Sequence, residues 1–396
     1  MNRRERNIIL YFWVELLGNT SFLAPVLSLF YLHRGLQYSD LFGLMIIWVI
    51  TVFFSEVPTG AFSDKYGPKW SFLVGNLFRI LSIGLLMVAF HRWIFYFIST
   101  LSAISFTFFS GSDQAFIFET LKDLKRENEM SHVWGRIHSA KFVPAVITIL
   151  VGAYVARDLA ETQFIILIFL GLFFNAGTLL LVCFLTQPTS FSKRNRGSTW
   201  MHIRKGWINI KGHTNLILLF MNETLVMIPT YVLLSNESMA QPYLTDSGLP
   251  VVLLGVVYAV DALGSFFVLN TIKGLEKILG QKNITLLTGM GILAAFIAGV
   301  LLPRSLATAL FVFFTIKLSF WIRYPVFGHI KNYYIPSVSR ATTLSIFSMI
   351  DSLFDIVILS IMGVLSQMGI QKIFIFCAVI VFIGLCFPVR IRQKSI

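Results

Sequence analysis

The segment PTGAFSDKYGPK, residues 58–69, separates two long apolar runs and decides how the rest of the chain is interpreted. The run before it, 39–57, is almost entirely apolar apart from Glu56, and the run after it, 70–90, contains few polar residues. At a rise of about 1.5 Å per residue, each run can cross a hydrocarbon core of about 30 Å as a helix. The segment is therefore predicted to be the tight turn of a transmembrane hairpin, in which Gly67 and Pro68 permit the reversal.

The composition is that of a protein embedded in a lipid bilayer. Of the 396 residues, 56% are hydrophobic and only 13% are charged, whereas soluble domains carry about 25% charged residues. A net charge of +13 in a soluble chain would suggest nucleic acid as a partner. Here 23 Lys and Arg residues fall in segments on one side of the predicted membrane and 5 on the other. The positive-inside rule then predicts an inner (plasma) membrane protein with cytoplasmic N- and C-termini and no nucleic-acid partner.

Apolar windows of about twenty residues predict an all-α membrane protein with about 12 transmembrane helices. The windows lie near 8–32, 39–62, 70–90, 94–118, 137–156, 163–186, 214–235, 250–271, 283–302, 306–329, 341–365 and 371–389. The longest polar segment divides them into an N-terminal six-helix bundle, 1–186, and a C-terminal six-helix bundle, 214–396. Between them, 187–213 has apolar residues at helical spacing with basic flanks, which predicts a cytoplasmic linker with an interfacial helix.

The two halves show a faint internal correspondence. Glu15 stands about seven residues into the first window, and Glu223 stands about as far into the seventh. The spacing of Gly67 and Lys69 recurs at Gly280 and Lys282. Short matches of this kind recur by chance, so they support a repeat only together with the layout of the whole chain.

The hairpin segment carries a pattern with a known relative. Gly60-x-x-x-Asp64-Lys65-x-Gly67-x-Lys69 resembles the loop between helices two and three of the major facilitator superfamily of transporters, except that Pro68 replaces a basic residue usual in the family. The segments 56–60, 110–113 and 335–342 resemble a bacterial branch often described as drug or macrolide exporters. The fourth window lacks the family's Arg, and the fifth retains only a remnant of the antiporters' glycine-rich signature, which argues against antiporter coupling.

The resemblance implies the fold and the gate. Members of the superfamily have two six-helix bundles that rock around a site at the midplane of the membrane. The implied gating motif comprises Gly60, Asp64, Lys65, Gly67, Lys69, Asp113 and Arg340. In this hypothesis Asp64 accepts hydrogen bonds from the helix of the other half that follows Arg340, and so holds the inner gate shut.

Ionisable residues inside the windows are the strongest functional signal. They are Glu15, Glu56, Arg79, Asp113, Lys141, Glu223, Asp261, Lys317, Arg323, Asp351 and Asp355. Each Lys, Arg or Asp at a helix centre costs about 2.5–3.5 kcal/mol on insertion, so these residues must face water or one another. Asp351 and Asp355 lie one helical turn apart, so one should be protonated or a cation such as Lys317 or Arg323 should bridge them.

The superfamily places spans one, four, seven and ten around the central cavity, which implies a set of lining residues. The substrate or proton candidates are Glu15, Asn19, Asn222, Glu223, Lys317 and Trp321, together with the buried pair Asp351 and Asp355, while Ser105, Ser112 and Gln114 contribute polar wall positions. Carboxylates with aromatic walls suit a cationic or amphipathic ligand. Buried carboxyl groups equally suit proton coupling.

The sequence therefore predicts a secondary transporter, monomeric, that moves a small molecule across the bilayer, with proton-coupled efflux as the favoured mode. Metabolite uptake, a lipid-handling flippase on the same fold and an integral-membrane enzyme remain open. Against an enzyme, the seven His residues have no paired spacing and no catalytic residues are predicted. No nucleotide-binding motif occurs, the three Cys residues lack metal-ligand spacing, and neither cofactor nor metal is expected.

Overall fold

The computed structural model describes residues 3–139, 142–188, 214–235, 237–335 and 340–389. Within these ranges the chain is built from helices. They are α1 Arg3–Gly18, α2 Leu27–His33, α3 Tyr38–Tyr66, α4 Pro68–Leu85, α5 Arg92–Phe109, α6 Ser112–Asp123, α7 Met130–Ser139, α8 Phe142–Val155, α9 Glu161–Phe184, α10 Thr214–Met227, α11 Tyr231–Leu234, α12 Ala240–Asp246, α13 Val251–Leu279, α14 Gln281–Leu301, α15 Leu306–Tyr334, α16 Arg340–Ser366 and α17 Ile370–Leu385. Lys141 and most of the predicted interfacial helix lie outside the described residues.

Ten helical segments in the described part of the chain are long and apolar enough to cross a membrane. They are Tyr38–Tyr66, Pro68–Val88, Arg92–Asp123, Glu127–Val155, Glu161–Phe184, Thr214–Leu234, Val251–Leu279, Gln281–Leu301, Leu306–Lys331 and Ile346–Ser366. Two shorter apolar helices, Ala24–His33 and Ile370–Leu385, accompany them. The predicted all-α membrane fold is confirmed.

The hairpin turn is much narrower than the predicted segment 58–69. Helix α3 continues through Pro58 to Tyr66 and α4 begins at Pro68, so only Gly67 lies between the two helices. Pro68 fits the first position of a helix because its missing N–H would have no intrahelical partner there. Gly67 has φ +91° and ψ 161°, a conformation that is essentially restricted to glycine. A single residue therefore reverses the chain.

Two predicted windows are broken helices. In the window 8–32, α1 ends at Gly18 and helical structure resumes only at Ala24. The polar run Asn19–Ser21 and Pro25 interrupt it because Asn, Thr and Ser compete for backbone hydrogen bonds and Pro cannot donate one. In the window 94–118, α5 ends before Ser110 and α6 begins after Gly111, whose φ is +73°.

The described residues divide into two compact units. Unit 1 takes the described parts of Met1–Asn195 together with Pro250–Ala259, and unit 2 takes those of Arg196–Leu249 and Val260–Ile396. Helix α13 contributes to both, and the predicted domain limits at 186 and 214 stay a prediction.

The same packing pattern recurs inside each unit. In unit 1, α9 packs against α1 and α4, and α4 packs against α5. In unit 2, α17 packs against α10 and α14, and α14 packs against α15. In chain order, α1, α4, α5 and α9 thus correspond to α10, α14, α15 and α17, as expected for a transporter built from parallel repeats.

A buried ion pair fastens α2 to α9 at one end of unit 1. Arg34 is buried and donates from Nε to Oε2 of Glu161 at 3.0 Å, while its NH2 group pairs with the other carboxylate oxygen. Its NH1 group donates to the Ala89 carbonyl at 2.8 Å, and the guanidinium lies 4.1 Å from the Phe90 ring centroid. The cation is thus satisfied on all sides, as a buried charge requires.

At the other end of unit 1, the chain leaving α9 is fixed to the hairpin. Gln187 lies so close to Gly67 that a Cβ added there would be 1.5 Å from its Nε2 atom. The backbone N–H of Lys69 donates to Oε1 of Gln187 at 3.3 Å, and Lys69 Nζ donates to the Cys183 carbonyl at 2.8 Å. The approach to the linker is therefore anchored on the turn residue itself.

We expect Gly67→Ala to destabilise the protein by more than the about 1–3 kcal/mol of backbone strain alone, because the new methyl also displaces Gln187. Gly280→Ala is the matched control: Gly280 precedes α14 at φ +74°, and no atom lies within 4 Å of an added Cβ. Thermal unfolding in detergent measures both. Equal losses of stability in the two variants would contradict the Gln187 contact. Adding Gln187→Ala should restore part of the stability lost in Gly67→Ala and none of that lost in Gly280→Ala.

Candidate functional site

Helix α1 in unit 1 presents Tyr11 and Glu15 one turn apart, and Asn19 directly follows its last residue, with its backbone N–H donating to the Glu15 carbonyl at 3.2 Å. The Tyr11 hydroxyl donates to Oε1 of Glu15 at 3.2 Å. Asn19 Nδ2 donates to Oε2 of Glu15 at 3.2 Å and to its carbonyl at 2.7 Å. Tyr11 is buried between the rings of Phe72 and Phe116. The Glu15 carboxylate is thus held by two neutral donors, one of them rigid.

Arg79 completes this cluster from α4. Its NH1 group donates to the Gly18 carbonyl at 3.0 Å, where α1 ends, and its guanidinium lies 4.7 Å from the Phe109 ring centroid. It also interacts electrostatically with Glu15. The break in the first window and the predicted charges at Glu15 and Arg79 therefore belong to one arrangement.

Two serines expected on a cavity wall lie at helix contacts within unit 1. Ser105 is buried and donates to the Gly75 carbonyl at 2.7 Å, joining α5 to α4. Ser112 donates to the Ser63 hydroxyl at 2.8 Å, joining α6 to α3. Their polar groups are engaged in packing these helices together.

In unit 2, Glu223 on α10 pairs with Lys331 on α15. Lys331 Nζ lies 2.8 Å from Oε1 of Glu223. The sequence ended the tenth span at 329 and left Lys331 in a loop, whereas α15 continues to Tyr334. The next proline after Pro325 is Pro336, and this spacing was the available signal that the helix continues beyond 329.

A second carboxylate of unit 2, Asp261 on α13, is neutralised by another lysine of α15. Lys317 Nζ lies 3.1 Å from Oδ2 of Asp261, and the two side chains are 6% and 11% exposed. Trp321, one turn along α15, donates its indole N–H to Oδ1 of Asp261 at 3.1 Å. Lys317 also donates to the Leu234 carbonyl at 3.3 Å. The candidates Lys317 and Trp321 therefore form one cluster around Asp261.

Asp351 and Asp355 lie on α16, and within the described part of the chain neither forms a salt bridge, although the charge of Lys331 acts on Asp351 electrostatically. Oδ1 of Asp351 accepts a hydrogen bond from the Thr224 hydroxyl. Oδ1 of Asp355 is buried and has no hydrogen-bond partner among the described residues. The cation bridge considered from the sequence is not formed, because Lys317 pairs with Asp261 and Arg323 bonds neutral oxygens.

Asn222 is a junction between three helices. Its Nδ2 donates to the carbonyls of Gly384 and Phe387 at 3.0 and 2.8 Å, and its Oδ1 accepts from Arg323. Arg323 is completely buried and also donates to the Thr285 carbonyl. Asn222 is thus held in place by α15 and α17 at the same time.

The predicted gating residues lie on helices as well as at the turn. Gly60 is inside α3, Asp64 and Lys65 are in its last turn, and Asp113 is the second residue of α6. Arg340 begins α16, and its side chain lies outside the described residues. The latch between Asp64 and the other half therefore stays a prediction. No group of three His, Cys, Asp or Glu residues in the described ranges could hold a metal ion.

Glu237 is a half-buried carboxyl group outside the membrane-spanning helices, between α11 and α12. Burial raises the pKa of Glu237 to about 7. Its backbone N–H donates to the Ser235 hydroxyl at 3.2 Å, which helps to fix the loop. The sequence did not single out this group.

Comparisons with known proteins agree with the helical membrane fold described above. The family model described as the Major Facilitator Superfamily matches residues 16–330. No curated protein matches the chain in sequence. A mutant of the nucleoside transporter NupG is 12% identical, with 97% of this chain and 98% of that chain covered and a TM-score of 0.79.

Other solved structures are similarly distant in sequence. A POT family transporter in complex with 5-aminolevulinic acid is 11% identical, with 96% and 95% coverage and a TM-score of 0.74. A D-xylose-proton symporter is 13% identical, with 96% coverage of each chain and a TM-score of 0.70. At such identities the likeness shows the fold alone.

Lys317→Met should destabilise the protein by about 3–5 kcal/mol, because it leaves Asp261 buried without its counter-ion. The double variant Lys317→Met/Asp261→Asn should recover most of this loss, since no charge then remains. Thermal unfolding in detergent distinguishes the two cases. A double variant as unstable as the single one would contradict the pairing.

The raised pKa of Glu237 predicts that the free energy of unfolding falls as pH rises from about 4.5 to about 7. Its pKa is raised in the folded protein, so the folded state binds more protons than the unfolded state in this window, and ionisation costs up to about 3 kcal/mol above it. Glu237→Gln should remove this component and raise the unfolding temperature at pH 8 but not at pH 4. Asp246→Asn, which alters an exposed carboxylate at the end of α12, is the control and should keep the wild-type profile.

Proposed function

The chain belongs to the Major Facilitator Superfamily and is an integral membrane transporter, and on this premise we propose that it exports a small cationic or amphipathic molecule in exchange for protons. It acts as a monomer in the inner membrane with both termini in the cytoplasm. Glu15 and Asn19 are the substrate candidates of unit 1, and Asn222, Glu223, Lys317 and Trp321 are those of unit 2. The proposal for export follows the resemblance of the segments 110–113 and 335–342 to exporters of this superfamily.

The observation that carries proton coupling is the pair Asp351 and Asp355. Two ionised carboxylates one turn apart on a helix repel each other, and the repulsion grows in a medium of low dielectric constant. Two other carboxylates on helices of unit 2, Glu223 and Asp261, each have a lysine at hydrogen-bond distance. Asp351 has the Thr224 hydroxyl and a lysine, Lys331, that is already paired with Glu223, and Oδ1 of Asp355 has no hydrogen-bond partner among the described residues. A proton is the counter-charge that this site lacks.

Proton binding at this pair would couple to transport through the helices it joins. Asp351 contacts α10 through Thr224, the neighbour of Glu223 in the chain. When both carboxyl groups are protonated, the part of α16 at Asp351 and Asp355 presents no negative charge to α10. When a carboxyl group is ionised, a negative charge lies near the Glu223–Lys331 ion pair. Loading and release of the proton therefore change the electrostatic balance between two helices that carry candidate substrate residues.

Unit 1 supplies the attraction for a cation. The Glu15 carboxylate is held by hydroxyl and amide donors, which fix its position without cancelling its charge. Arg79 offsets it in part and is anchored on the Gly18 carbonyl. The arrangement suits a ligand whose cationic group replaces or competes with the guanidinium of Arg79.

The expected behaviour can be tested in proteoliposomes with ethidium, a lipophilic cation, as the probe. An imposed pH gradient should drive ethidium against the direction of proton flow in the wild type. Asp355→Asn and Asp351→Asn/Asp355→Asn should lower this gradient-driven flux to the level of protein-free liposomes, because no proton is then exchanged. Asp246→Asn, at an exposed ion pair with Arg304, should transport as the wild type does.

The result also decides between the modes of transport. Ethidium moving with the protons would replace export by uptake. Gradient-driven flux that survives in the double variant would remove Asp351 and Asp355 from the proton path. Exchange of ethidium without a gradient should persist in both Asp variants, which separates loss of coupling from loss of folding.

A further inference from the structure

Unit 2 contains a cavity of about 520 Å³ at the end where α10 and α14 begin and α17 ends. Its polar lining is Asn222, Lys282 and Thr285, and its apolar lining is Leu286, Leu385, Phe387, Pro388 and Val389. The charge distribution predicts that this end is cytoplasmic. The proposed proton residues Asp351 and Asp355 do not line the cavity, and Asn222 is the one candidate residue of unit 2 that does.

The corresponding place in unit 1 is closed by a side chain. The two units have similar sequences where these helices end. In unit 1 the segment after α9 is Leu185-Thr186-Gln187-Pro188, and in unit 2 the segment that begins with the last residue of α17 is Leu385-Cys386-Phe387-Pro388. In unit 1 Gln187 covers Gly67 and accepts a hydrogen bond from the Lys69 backbone. In unit 2 Phe387 takes the place of Gln187, and no atom lies within 4 Å of a Cβ added at Gly280. The repeat therefore leaves open in unit 2 the space that it fills in unit 1.

The same comparison applies to the two lysines. Lys69 Nζ donates to the Cys183 carbonyl at the end of α9. Lys282, its counterpart, is exposed and lines the cavity, and no hydrogen bond or ion pair joins its ammonium group to a described residue. An available cation at the mouth of a cavity attracts an anionic group.

A second positive charge stands behind the cavity wall. Arg323 is completely buried and donates to Asn222 and Thr285, two of the lining residues. Its partners are all neutral oxygens, and its Nε atom has no hydrogen-bond partner among the described residues. Arg323 forms no ion pair among the described residues, and Glu223, which acts on it electrostatically, is itself paired with Lys331, so positive charge remains beside this cavity.

The cavity also borders an apolar surface. Leu286 in the lining is 49% exposed, and Phe382, one turn before the end of α17, is 59% exposed. Exposed apolar residues on membrane-spanning helices face lipid chains. The polar end of a ligand in this cavity would lie near the cations Lys282 and Arg323, and its apolar part would lie along the lipid-facing surface.

We propose that this cavity binds the headgroup of an anionic phospholipid of the predicted cytoplasmic leaflet, with its phosphate at Lys282 and its acyl chains along Leu286 and Phe382. The positive field of Arg323 favours an anionic over a zwitterionic headgroup. Because Asn222 joins the cavity to α15 and α17, a bound lipid stabilises the packing of these helices. The lipid is thus a structural ligand of unit 2.

Thermal unfolding of the detergent-solubilised full chain tests this with dioctanoyl phosphatidylglycerol as the probe. The anionic lipid should raise the unfolding temperature of the wild type in a saturable manner, because it binds the folded state. Dioctanoyl phosphatidylcholine and inorganic phosphate should have little effect at the same concentrations. Lys282→Gln should weaken the apparent affinity by about tenfold, the value of one charge-assisted hydrogen bond.

Two further variants make the test specific. Lys277→Gln removes an exposed charge five residues earlier, near the end of α13 and outside the cavity lining, and should bind as the wild type does. Leu286→Trp fills the cavity from its lipid-facing wall and should abolish the effect. Equal stabilisation by phosphatidylcholine, equal loss in Lys277→Gln and Lys282→Gln, or stabilisation by phosphate alone that requires Lys282, would overturn the proposal.

Discussion

A charge inside a helix bundle surrounded by hydrocarbon must find a counter-charge or a full set of hydrogen bonds close by, and this constraint orders most of the structure. Arg34 is met by Glu161 and by a carbonyl at one end of unit 1. Glu223 is met by Lys331, and Asp261 by Lys317, in unit 2. Each of these pairs joins helices that are distant in the chain, so the neutralisation of charge also fixes which helices are neighbours. The constraint also reveals the exceptions. Asp355 has a buried oxygen without a donor, and Arg323 has a buried nitrogen without an acceptor, among the residues described. These two departures lead to the proposed proton site and the proposed lipid site.

The transmembrane layout was predictable because hydropathy and length reflect the solvent directly. The hairpin around Gly67, the basic segments on one side and the repeat of Gly67 at Gly280 were all visible in the sequence, and both glycines begin a helix at positive φ. Helix ends were less predictable. Pro58 suggested a turn, yet α3 continues through it, because a proline inside a long helix costs less in a packed bundle than the loss of the helical turns that follow. The window 8–32 looked continuous because hydropathy averages over the polar run that begins at Asn19.

The buried charges could be recognised in the sequence, whereas their pairings could not. Which carboxylate meets which lysine depends on the rotation of each helix, and a window of hydropathy contains no such information. Asp261 was recognised as a buried charge, but its contact with Lys317 and Trp321 requires the relative position of α13 and α15. Lys331 was overlooked because the end of α15 was placed too early. Gln187 had no signal at all, since only the close approach to Gly67 gives that glutamine a role.

Pro325 lies inside α15 between the two lysines that neutralise Asp261 and Glu223. A proline has no N–H to offer the carbonyl one turn earlier, which here belongs to Trp321, and its ring crowds that carbonyl. The helix is therefore mechanically divided at this level into a segment tied to α13 and a segment tied to α10. Bending at Pro325 breaks no backbone hydrogen bond beyond the one already missing. The two ion pairs therefore hold two separate segments of α15. One segment can tilt while the ion pair of the other segment stays intact.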